Sequence, residues 1–494
     1  MWENIKSHRL AYFLILLSLL ISIFLALTVE LGNDEVYYVL YIKYPALSYF
    51  DHPGVLGWLG WIFTLGGTII TDFTVRLGPI IFSVLNQIII YRWLLRRNGT
   101  SSAVNGLLIF NASLYLFLIA GVFLLPDSFQ LSFWLLSLLF WEKAENTGST
   151  TPTVLGGVLG ALALATKYHA VCLPAGLLLY YLVHNRKRII STQFILYCFL
   201  FSLGLIPTIL WNSMNDWASF SFHGDRVGFL ENGINLNSLG AFFAGQLLYY
   251  NPIIILVLFL TLFNRGNKTK AAWLLYSGLA LFLISTVLAL SKTTLPHWTG
   301  PAFIGITVWL ALNMREKKRK LLFAGLIFNA AILLGGWYIT NYGSNLGSKK
   351  GDKLGKNDPT QDLFGWRQLG ANYQLWLAEN PEFSKTSLLS LNWFPAGHIE
   401  HYVRPKNQPL ICVGPRKNTH EFVRLNQRFN SPENSNQYLF FHQSNGFHDR
   451  LEKLPNRYVP VKKLIRFPIY RSGKKIRYHD LYLIEYQEDI LSSY

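Results

Sequence analysis

The sequence predicts a mostly α-helical membrane protein, in which a bundle of about eleven transmembrane helices is followed by a soluble α/β domain. Two observations lead to this fold class. The 494-residue chain is 51% hydrophobic and only 14% charged, and soluble proteins carry far more charge. Its composition also changes abruptly after Thr340. We therefore expect a membrane domain over 1–340, a linker over 341–362 and a soluble domain over 363–494.

Eleven apolar segments are the predicted spans, although several are shorter than the roughly 20 residues that a straight span needs. The first is too long for a signal peptide and lacks a small-residue cleavage site, so we expect a retained anchor. The short, glycine-rich segment 55–66 is interpreted as an interfacial helix. The predicted spans are 9–29, 77–95, 103–123, 128–141, 154–166, 168–183, 190–211, 242–263, 271–290, 298–313 and 321–340.

The basic residues beside the predicted spans orient the chain in the membrane. With the N-terminus inside, seventeen Lys and Arg residues fall in cytoplasmic loops and five in external membrane loops. Such a bias marks the cytoplasmic side of membrane proteins. The net charge of +17 therefore reflects topology and contacts with anionic lipid head groups, and it does not indicate nucleic-acid binding. An odd number of spans places the soluble domain outside.

The soluble domain is predicted to combine a helix with a small sheet. Helical character covers 364–379, and strand-like runs follow it. The predicted strands are Ser387–Asn392, Pro409–Val413, Gln437–His442, Tyr458–Tyr470 and Tyr478–Tyr486.

Two kinds of site are not indicated by the sequence. The three cysteines, Cys172, Cys198 and Cys412, form no CxxC pair, so neither a disulfide framework nor a thiolate metal site is expected. A nucleotide-binding glycine loop is also missing from the sequence.

The stretch between the first apolar segment and Trp58 concentrates ionisable side chains. Asp34 and Glu35 are adjacent, and Asp51 and His52 follow among several tyrosines. Charged groups beside the hydrocarbon layer are costly to desolvate and usually serve chemistry or transport. The alternative is a solvated loop in which Asn33 or Asp34 caps a short helix.

The motifs DE-x-YY and YFDHP-G in this loop resemble the first external loop of family 39 glycosyltransferases, which are GT-C-class membrane enzymes. The family includes protein O-mannosyltransferases and lipid A aminoarabinose transferases. The resemblance implies a sugar donor linked to polyprenyl phosphate and an extracytoplasmic acceptor hydroxyl or phosphate on a lipid, glycan or protein. It also implies a bacterial inner-membrane location, with the active site facing the periplasm. Gly54 departs from the family, which usually has a second proline there.

The resemblance assigns the catalytic base to the acidic pair at the end of the first span. Transfer to a hydroxyl needs a carboxylate that takes the acceptor proton during the attack. In the GT-C class an acid at this point plays that role, which corresponds to Asp34, with Glu35 beside it. The sequence alone does not rank one above the other.

Asp51 and His52 form the second candidate element. The aminoarabinose enzymes carry an acid followed by lysine in the equivalent segment, and His52 replaces that cation. A protonated histidine would bind phosphate, whereas a neutral one is able to ligate a divalent metal. A metal held by Asp51, His52 and His297 is therefore the only cofactor hypothesis. A simple hydrogen-bonded interfacial histidine is the alternative.

Three further motifs match the family and supply substrate-binding candidates. The Pro-Asp pair that contains Asp127 matches a family position with an acid near the active site. TKY, which contains Lys167 and Tyr168, matches a second family motif, and VRLGP, which contains Arg76, matches a third. The two cations are candidates for the donor phosphate. Each also has an ordinary structural explanation, because Pro-Asp commonly starts a helix and Lys or Arg commonly anchors at the interface.

Aromatic segments in later external loops complete the candidate set. PTILWNSMNDWASFSF, residues 207–222, resembles a family segment, so Trp211 and Asp216 are candidates for a sugar-binding wall. Leu295-Pro296-His297-Trp298 resembles a family PHW motif, and His297 is a candidate phosphate or metal ligand. An aromatic belt at the membrane interface explains the tryptophans equally well.

Two other functional classes compete with sugar transfer. A lipid-sugar transporter or flippase would also have many spans, but transporters tend to show internal repeats and ionisable groups at mid-bilayer. The sequence shows neither, since its acids gather at one face. A scaffold or receptor with an external binding module would leave the acids of the first loop unexplained.

Overall fold

The computed structural model describes residues 2–227, 233–264, 270–343, 346–429, 436–446 and 449–487. Its contacts divide the chain into two compact units. The membrane unit comprises Met1–Ala26 and Tyr44–Leu334, and the C-terminal unit comprises Leu27–Lys43 and Gly335–Tyr494. The acidic segment that follows the first span is therefore folded with the C-terminal residues.

Helices dominate the chain up to Tyr342. Their bounds are α1 Trp2–Thr28, α2 Asn33–Lys43, α3 Val55–Phe63, α4 Asp72–Ala112, α5 Pro126–Thr147, α6 Thr150–Leu164, α7 Cys172–His184, α8 Thr192–Ser202, α9 Ile206–Ser213, α10 Ala218–Val227, α11 Leu236–Tyr250, α12 Pro252–Leu262, α13 Trp273–Ala289, α14 Ala302–Asn313 and α15 Arg319–Tyr342. The glycine-rich segment forms the short helix α3, in keeping with its prediction as a helix too short to span.

Four helical stretches of the described residues are long and apolar enough to cross a membrane. The count becomes five if α11 and α12, which meet at a 96° bend, form one span. Other apolar helices, such as α6 and α14, are shorter than a straight span requires. A membrane protein of several spans is therefore confirmed, but the predicted number of eleven is not.

Helix α4 is one of these long stretches, and it contains a reversal of the chain. Gly99 has non-helical backbone angles, with φ 80° and ψ −177°. Asn111 donates a hydrogen bond from Nδ2 to Oε1 of Gln87 at 2.8 Å. A side chain at Gly106 would overlap that of Leu94. Residues at similar distances before and after Gly99 thus contact each other, so the two halves of α4 run antiparallel, like two separate passes.

Small residues allow the membrane helices to approach closely. Ser137 of α5 donates to the carbonyl oxygen of Gly156 in α6 at 2.8 Å. The same hydroxyl lies 2.9 Å from the Tyr197 hydroxyl of α8. A side chain at Gly157 or Gly160 would meet atoms of α8. Close backbone contact through glycine and serine is the usual packing of helices in a bilayer, where burial of apolar surface gives no net drive.

The C-terminal unit contains a five-stranded sheet in the order β2-β1-β3-β5-β4. Strand β1 pairs in parallel with β2 and β3, whereas β5 pairs antiparallel with β3 and β4. The predicted helix and all five predicted strands are present. The elements are α16 Trp366–Glu379, β1 Ser387–Ser390, α17 Trp393–His398, β2 Leu410–Cys412, α18 Arg416–Thr419, α19 Phe422–Phe429, β3 Gln437–Gln443, β4 Tyr458–Arg471 and β5 Lys474–Tyr486.

The range 341–362, expected to be a linker, belongs to the C-terminal unit and makes buried contacts there. Arg471 of β4 pairs with Asp358 at 2.8 Å, and both side chains are almost completely buried. Asn445 donates to Oε1 of Gln361 at 3.2 Å. The described part of this range is therefore packed against the sheet. The range was predicted to be a linker because of its glycines and lysines. Its packing was not predicted because its partners lie about a hundred residues further along the sequence.

Candidate active site

The YFDHP motif of the membrane unit forms a tight turn. Ser48 and Pro53 make an isolated antiparallel bridge, and the backbone N–H of Tyr49 donates to the carbonyl oxygen of His52 at 2.9 Å. Gly54 follows, and a Cβ there would overlap the carbonyl oxygen of Leu47. The departure from the family pattern at Gly54 therefore allows a close backbone approach at the start of α3.

A buried ion pair joins two of the candidate motifs in the membrane unit. Lys167 donates from Nζ to Oδ2 of Asp127 at 2.7 Å, and their side chains are 7% and 2% exposed. Tyr115 donates its hydroxyl to Oδ1 of the same carboxylate at 2.8 Å. Asp127 lies in the first turn of α5, where the partial positive charge of the helix N-terminus also favours a carboxylate. The motifs around Asp127 and Lys167 thus meet at one site.

The YFDHP turn and the TKY motif are both bonded to residues of α10. The Tyr168 hydroxyl lies 2.9 Å from that of Ser219, and its ring packs edge-on against His223 with centroids 5.0 Å apart. Nε2 of His223 lies 2.9 Å from the carbonyl oxygen of Asp51. In addition, the backbone N–H of Val55 donates to Ala165, two residues before Lys167, at 3.2 Å. These contacts bring Asp51, His52, Lys167 and Tyr168 into one region.

The two histidines proposed as phosphate or metal ligands share electrostatic neighbours. Burial lowers the pKa of His52 to about 3 and that of His297 to about 4; for both rings Asp127 opposes this effect and Lys167 adds to it. Both rings are therefore neutral near pH 7. This argues against the cationic role considered for His52, because a neutral imidazole supplies no charge to a phosphate.

The metal hypothesis does not fit the donor groups as they are arranged. Within the described ranges, no group of three or more His, Cys, Asp or Glu side chains is suitably placed to hold a metal ion. The proposed set of Asp51, His52 and His297 therefore does not form a coordination site, and Asp127 is already bonded to Lys167 and Tyr115.

Three further candidates have distinct surroundings in the membrane unit. Arg76 is completely buried, with its guanidinium 5.2 Å from the ring centre of Phe123. Trp211 is buried in a small apolar cluster with Phe50. Asp216 is exposed on a turn with a positive φ of 53°. Arg76 and Trp211 are thus built into the interior, whereas Asp216 projects from the surface.

Asp34 and Glu35 belong to the first turn of α2, in the C-terminal unit, and their surroundings differ. Glu35 is 2% exposed, and its Oε2 accepts the backbone N–H of Gly32 at 3.0 Å, so it caps its own helix. Asp34 is exposed. The structure therefore gives the two acids different surroundings, which the sequence did not distinguish.

Sequence reasoning missed several residues that hold these candidates. Tyr115 stands alone in an apolar segment, and nothing in its neighbourhood suggested a partner for Asp127. Asn33 was considered only as a helix cap, yet it bonds to Asp362 and His398 of the C-terminal unit. Contacts between residues more than three hundred positions apart give no local signal in a single sequence.

The chain is similar to known proteins in both sequence and fold. Residues 51–211 match the family model described as dolichyl-phosphate-mannose-protein mannosyltransferase. A curated relative, the lipid A galacturonosyltransferase RgtD of Rhizobium johnstonii, is 23% identical over 288 residues. That match covers 56% of this chain and 60% of the relative, so the chain spans less than two thirds of that protein.

Two solved structures of ArnT from Cupriavidus metallidurans are similar in fold. The apo structure superposes with a TM-score of 0.62 at 13% identity and covers 95% of this chain and 97% of that chain. The structure bound to undecaprenyl phosphate gives a TM-score of 0.61, with the same identity and coverage. Together, the family model, the curated relative and these folds confirm the resemblance to GT-C-class membrane glycosyltransferases.

Proposed function

We propose that this protein transfers a sugar from a polyprenyl-phosphate donor to a hydroxyl or phosphate group of an extracytoplasmic acceptor. The observation that carries the proposal is the buried cation Lys167, held 2.7 Å from Asp127 within the range matched by the mannosyltransferase family model. A buried ion pair is often no more stable than apolar side chains of similar volume, which favours a functional role for the pair. The role that we assign to Lys167 is to meet the negative charge of a lipid-linked phosphate.

Asp34 is the proposed base. An exposed carboxylate at the first turn of α2 is accessible to an acceptor hydroxyl, whereas the carboxylate of Glu35 is buried. As the acceptor oxygen attacks the anomeric carbon, its proton passes to Asp34. The bond from that carbon to the phosphate oxygen breaks, and polyprenyl phosphate leaves with the bonding electrons.

Lys167 and Arg76 are the proposed contacts for the leaving phosphate. Negative charge grows on this phosphate as its bond to the sugar breaks, so a nearby fixed cation lowers the barrier. Lysine carries three N–H donors, and the bond to Asp127 uses one of them. Arg76 is fully buried, where little water screens its charge.

The remaining candidates of the membrane unit are proposed to bind the donor. Tyr168 is held by Ser219 and His223, and Asp51 is held through its backbone, so both have defined positions. The neutral rings of His52 and His297 are proposed to donate or accept hydrogen bonds with sugar hydroxyls. Trp211 and Asp216 are proposed to form the sugar-binding wall. The exposed Asp216 would contact the sugar, and the buried Trp211 would support the wall.

We also propose eleven spans, with the N-terminus inside. Trp337 donates from Nε1 to the hydroxyl of Thr28 at 3.0 Å, which brings the last turns of α1 and α15 together. Two helices whose C-terminal ends meet run in the same direction, so the number of passes from the first to the last is odd. This supports a common side for the acidic segment and the C-terminal unit. The charge bias makes that side the exterior, or the periplasm of a bacterial inner membrane.

The test is a direct assay of the products. Purified protein in detergent or vesicles is supplied with a labelled polyprenyl-phosphate sugar, in both hexosyl and pentosyl forms, and with candidate acceptors. Release of polyprenyl phosphate together with labelled acceptor supports the proposal. Movement of intact labelled lipid across a vesicle membrane, without release, would instead support the lipid-sugar flippase.

A further inference from the structure

The segment that carries the acidic pair is fixed within the C-terminal unit at three points along its length. At one end, the carboxylate of Glu30 accepts the backbone N–H groups of Trp366 and Arg367 at 2.7 and 3.3 Å. At the other, Lys43 pairs with Glu400 at 2.8 Å. The third point is Asn33, directly before Asp34. The segment that carries the acidic pair is thus fixed to the rest of this unit near both ends and next to the pair itself.

Glu30 supplies the helix cap that α16 lacks. The residue before α16 is Gly365, which has no side chain to satisfy the first N–H groups of the helix. A carboxylate at a helix N-terminus gains from both the hydrogen bonds and the helix dipole. The start of α16 is therefore completed by a residue that lies more than three hundred positions earlier in the chain.

Asn33 is held from both sides of its amide. Its Nδ2 donates to Oδ2 of Asp362 at 2.9 Å, and its Oδ1 lies 2.9 Å from Nε2 of His398. His398 is completely buried and stacks on Trp366 with ring centroids 4.1 Å apart and planes 3° from parallel. The imidazole therefore has little freedom to turn away from Asn33.

The backbone of α2 also packs closely against α17. A Cβ at Gly397 would lie 3.1 Å from the side chain of Val36 and 3.3 Å from the backbone nitrogen of Tyr37. The ring of Tyr37 contacts Trp393 with centroids 5.0 Å apart. The helix that carries Asp34 is consequently fixed in rotation as well as in position.

We infer that Asp362 and His398 are positioning residues for Asp34. The inference rests on the proposed role of Asp34. Through Asn33, these two side chains set where the first turn of α2 lies. Asp362 adds a second effect, because its negative charge and that of Asp34 repel each other.

The charges around Asp362 make this second effect measurable. Burial raises the pKa of Asp362 to about 6; Arg477 and the bond from Asn33 oppose the rise, whereas Asp34 and Asp358 add to it. Glu30 and Glu35 are the other acids of the same segment, and His398 faces Asn33 from α17. As the pH rises through about 6, Asp362 gains its charge, and its repulsion of the Asp34 charge favours transfer of a proton to Asp34.

Two variants separate the geometric effect from the electrostatic one. Asn33→Ala removes both hydrogen bonds, and we expect kcat to fall about 10²-fold with little change in the donor KM, as expected for a misplaced base. Asp362→Asn keeps an amide oxygen for Asn33 but removes the charge. We expect it to abolish a step near pH 6 in the rate profile, through which wild-type activity rises with pH.

Asp449→Asn is the matched control. Asp449 is another buried aspartate of the C-terminal unit, its pKa is raised to about 7 by burial, and it bonds to Ser390 and Leu391. This control should keep the wild-type kcat and the step near pH 6. Thermal unfolding of each variant identifies any loss of folded protein, and Asp34→Asn in the same assay tests the proposed base.

The outcomes are distinct. If wild-type protein releases no polyprenyl phosphate, or Asp34→Asn keeps full activity, the proposed function or base fails. If Asp34→Asn is inactive while a folded Asn33→Ala keeps wild-type kcat, or the step near pH 6 persists in Asp362→Asn, the positioning inference fails and the proposed function stands. If Asp449→Asn also removes the step, the step reflects folding of the unit and the electrostatic role of Asp362 is overturned.

Discussion

Lys167 donates to Asp127 at 2.7 Å, and both side chains are almost completely buried. Removing one member of such a pair leaves the other charge uncompensated, which typically costs about 3–5 kcal/mol, whereas replacing both is often close to neutral. We therefore expect Lys167→Met to lower both the unfolding temperature and the transfer rate. The double variant Asp127→Asn/Lys167→Met should regain stability without regaining activity.

Thermal unfolding of the purified variants and release of polyprenyl phosphate check this prediction together. Full activity in the folded double variant would show that the ion pair serves structure alone, and the phosphate contact would then have to be assigned to another cation.

Metal chelation is expected to leave transfer unchanged. Among the described residues, the carboxylates and imidazoles near Lys167 do not form a coordination site, and we propose that Lys167 and Arg76 meet the phosphate charge. The measurement is turnover before and after EDTA treatment. Loss of activity that returns with added divalent ion, while Lys167→Ala remains active, would replace direct contact with a metal mechanism.

Cysteine labelling tests the proposed sides of the membrane. In a background without the three native cysteines, an impermeant reagent applied from outside should label Lys350→Cys and not Lys317→Cys. The reason is that 350 belongs to the C-terminal unit, whereas 317 lies in a basic loop expected inside. Permeabilised cells provide the control in which both are labelled. Labelling of 317 alone from outside would invert the topology.

The stability of the C-terminal unit should depend on Asp449. Burial raises the pKa of Asp449 from 3.8 to about 7, although bonds from Ser390 and Leu391 oppose the rise. The stability that this group contributes is present below pH 4 and is lost as the pH rises through about 7. Asp449→Asn should therefore raise the unfolding temperature more at pH 8 than at pH 5. An equal change at both pH values would contradict the shifted pKa.

Much of the fold follows from local patterns in the sequence. The five strands of the C-terminal sheet were predicted from strand-like runs in the sequence. The helix after Gly365 was predicted from the helical character of residues 364–379. The number of spans is harder to predict, because α4 contains two antiparallel halves on either side of Gly99 and several other apolar helices are shorter than a bilayer is thick.

The site was predictable only where a motif carried it. Asp127 and Lys167 were chosen from separate motifs, and the structure joins them. By contrast, no pattern in the sequence indicated that Asn33 is held by Asp362 and His398, or that Glu30 caps α16. The expected boundaries kept the acidic segment in the membrane domain, since an interaction across more than three hundred residues depends on tertiary packing.

The most direct test of the account compares polyprenyl phosphate release from a labelled donor in wild-type protein, Asp34→Asn and Glu35→Gln. Loss of a general base typically lowers the rate by about 10² to 10⁴, so Asp34→Asn should lose that factor while it still folds and binds donor. Glu35→Gln should stay near wild type, because a glutamine oxygen still accepts the N–H of Gly32. Wild-type turnover in Asp34→Asn, with loss in Glu35→Gln, would contradict the account and move the base by one residue.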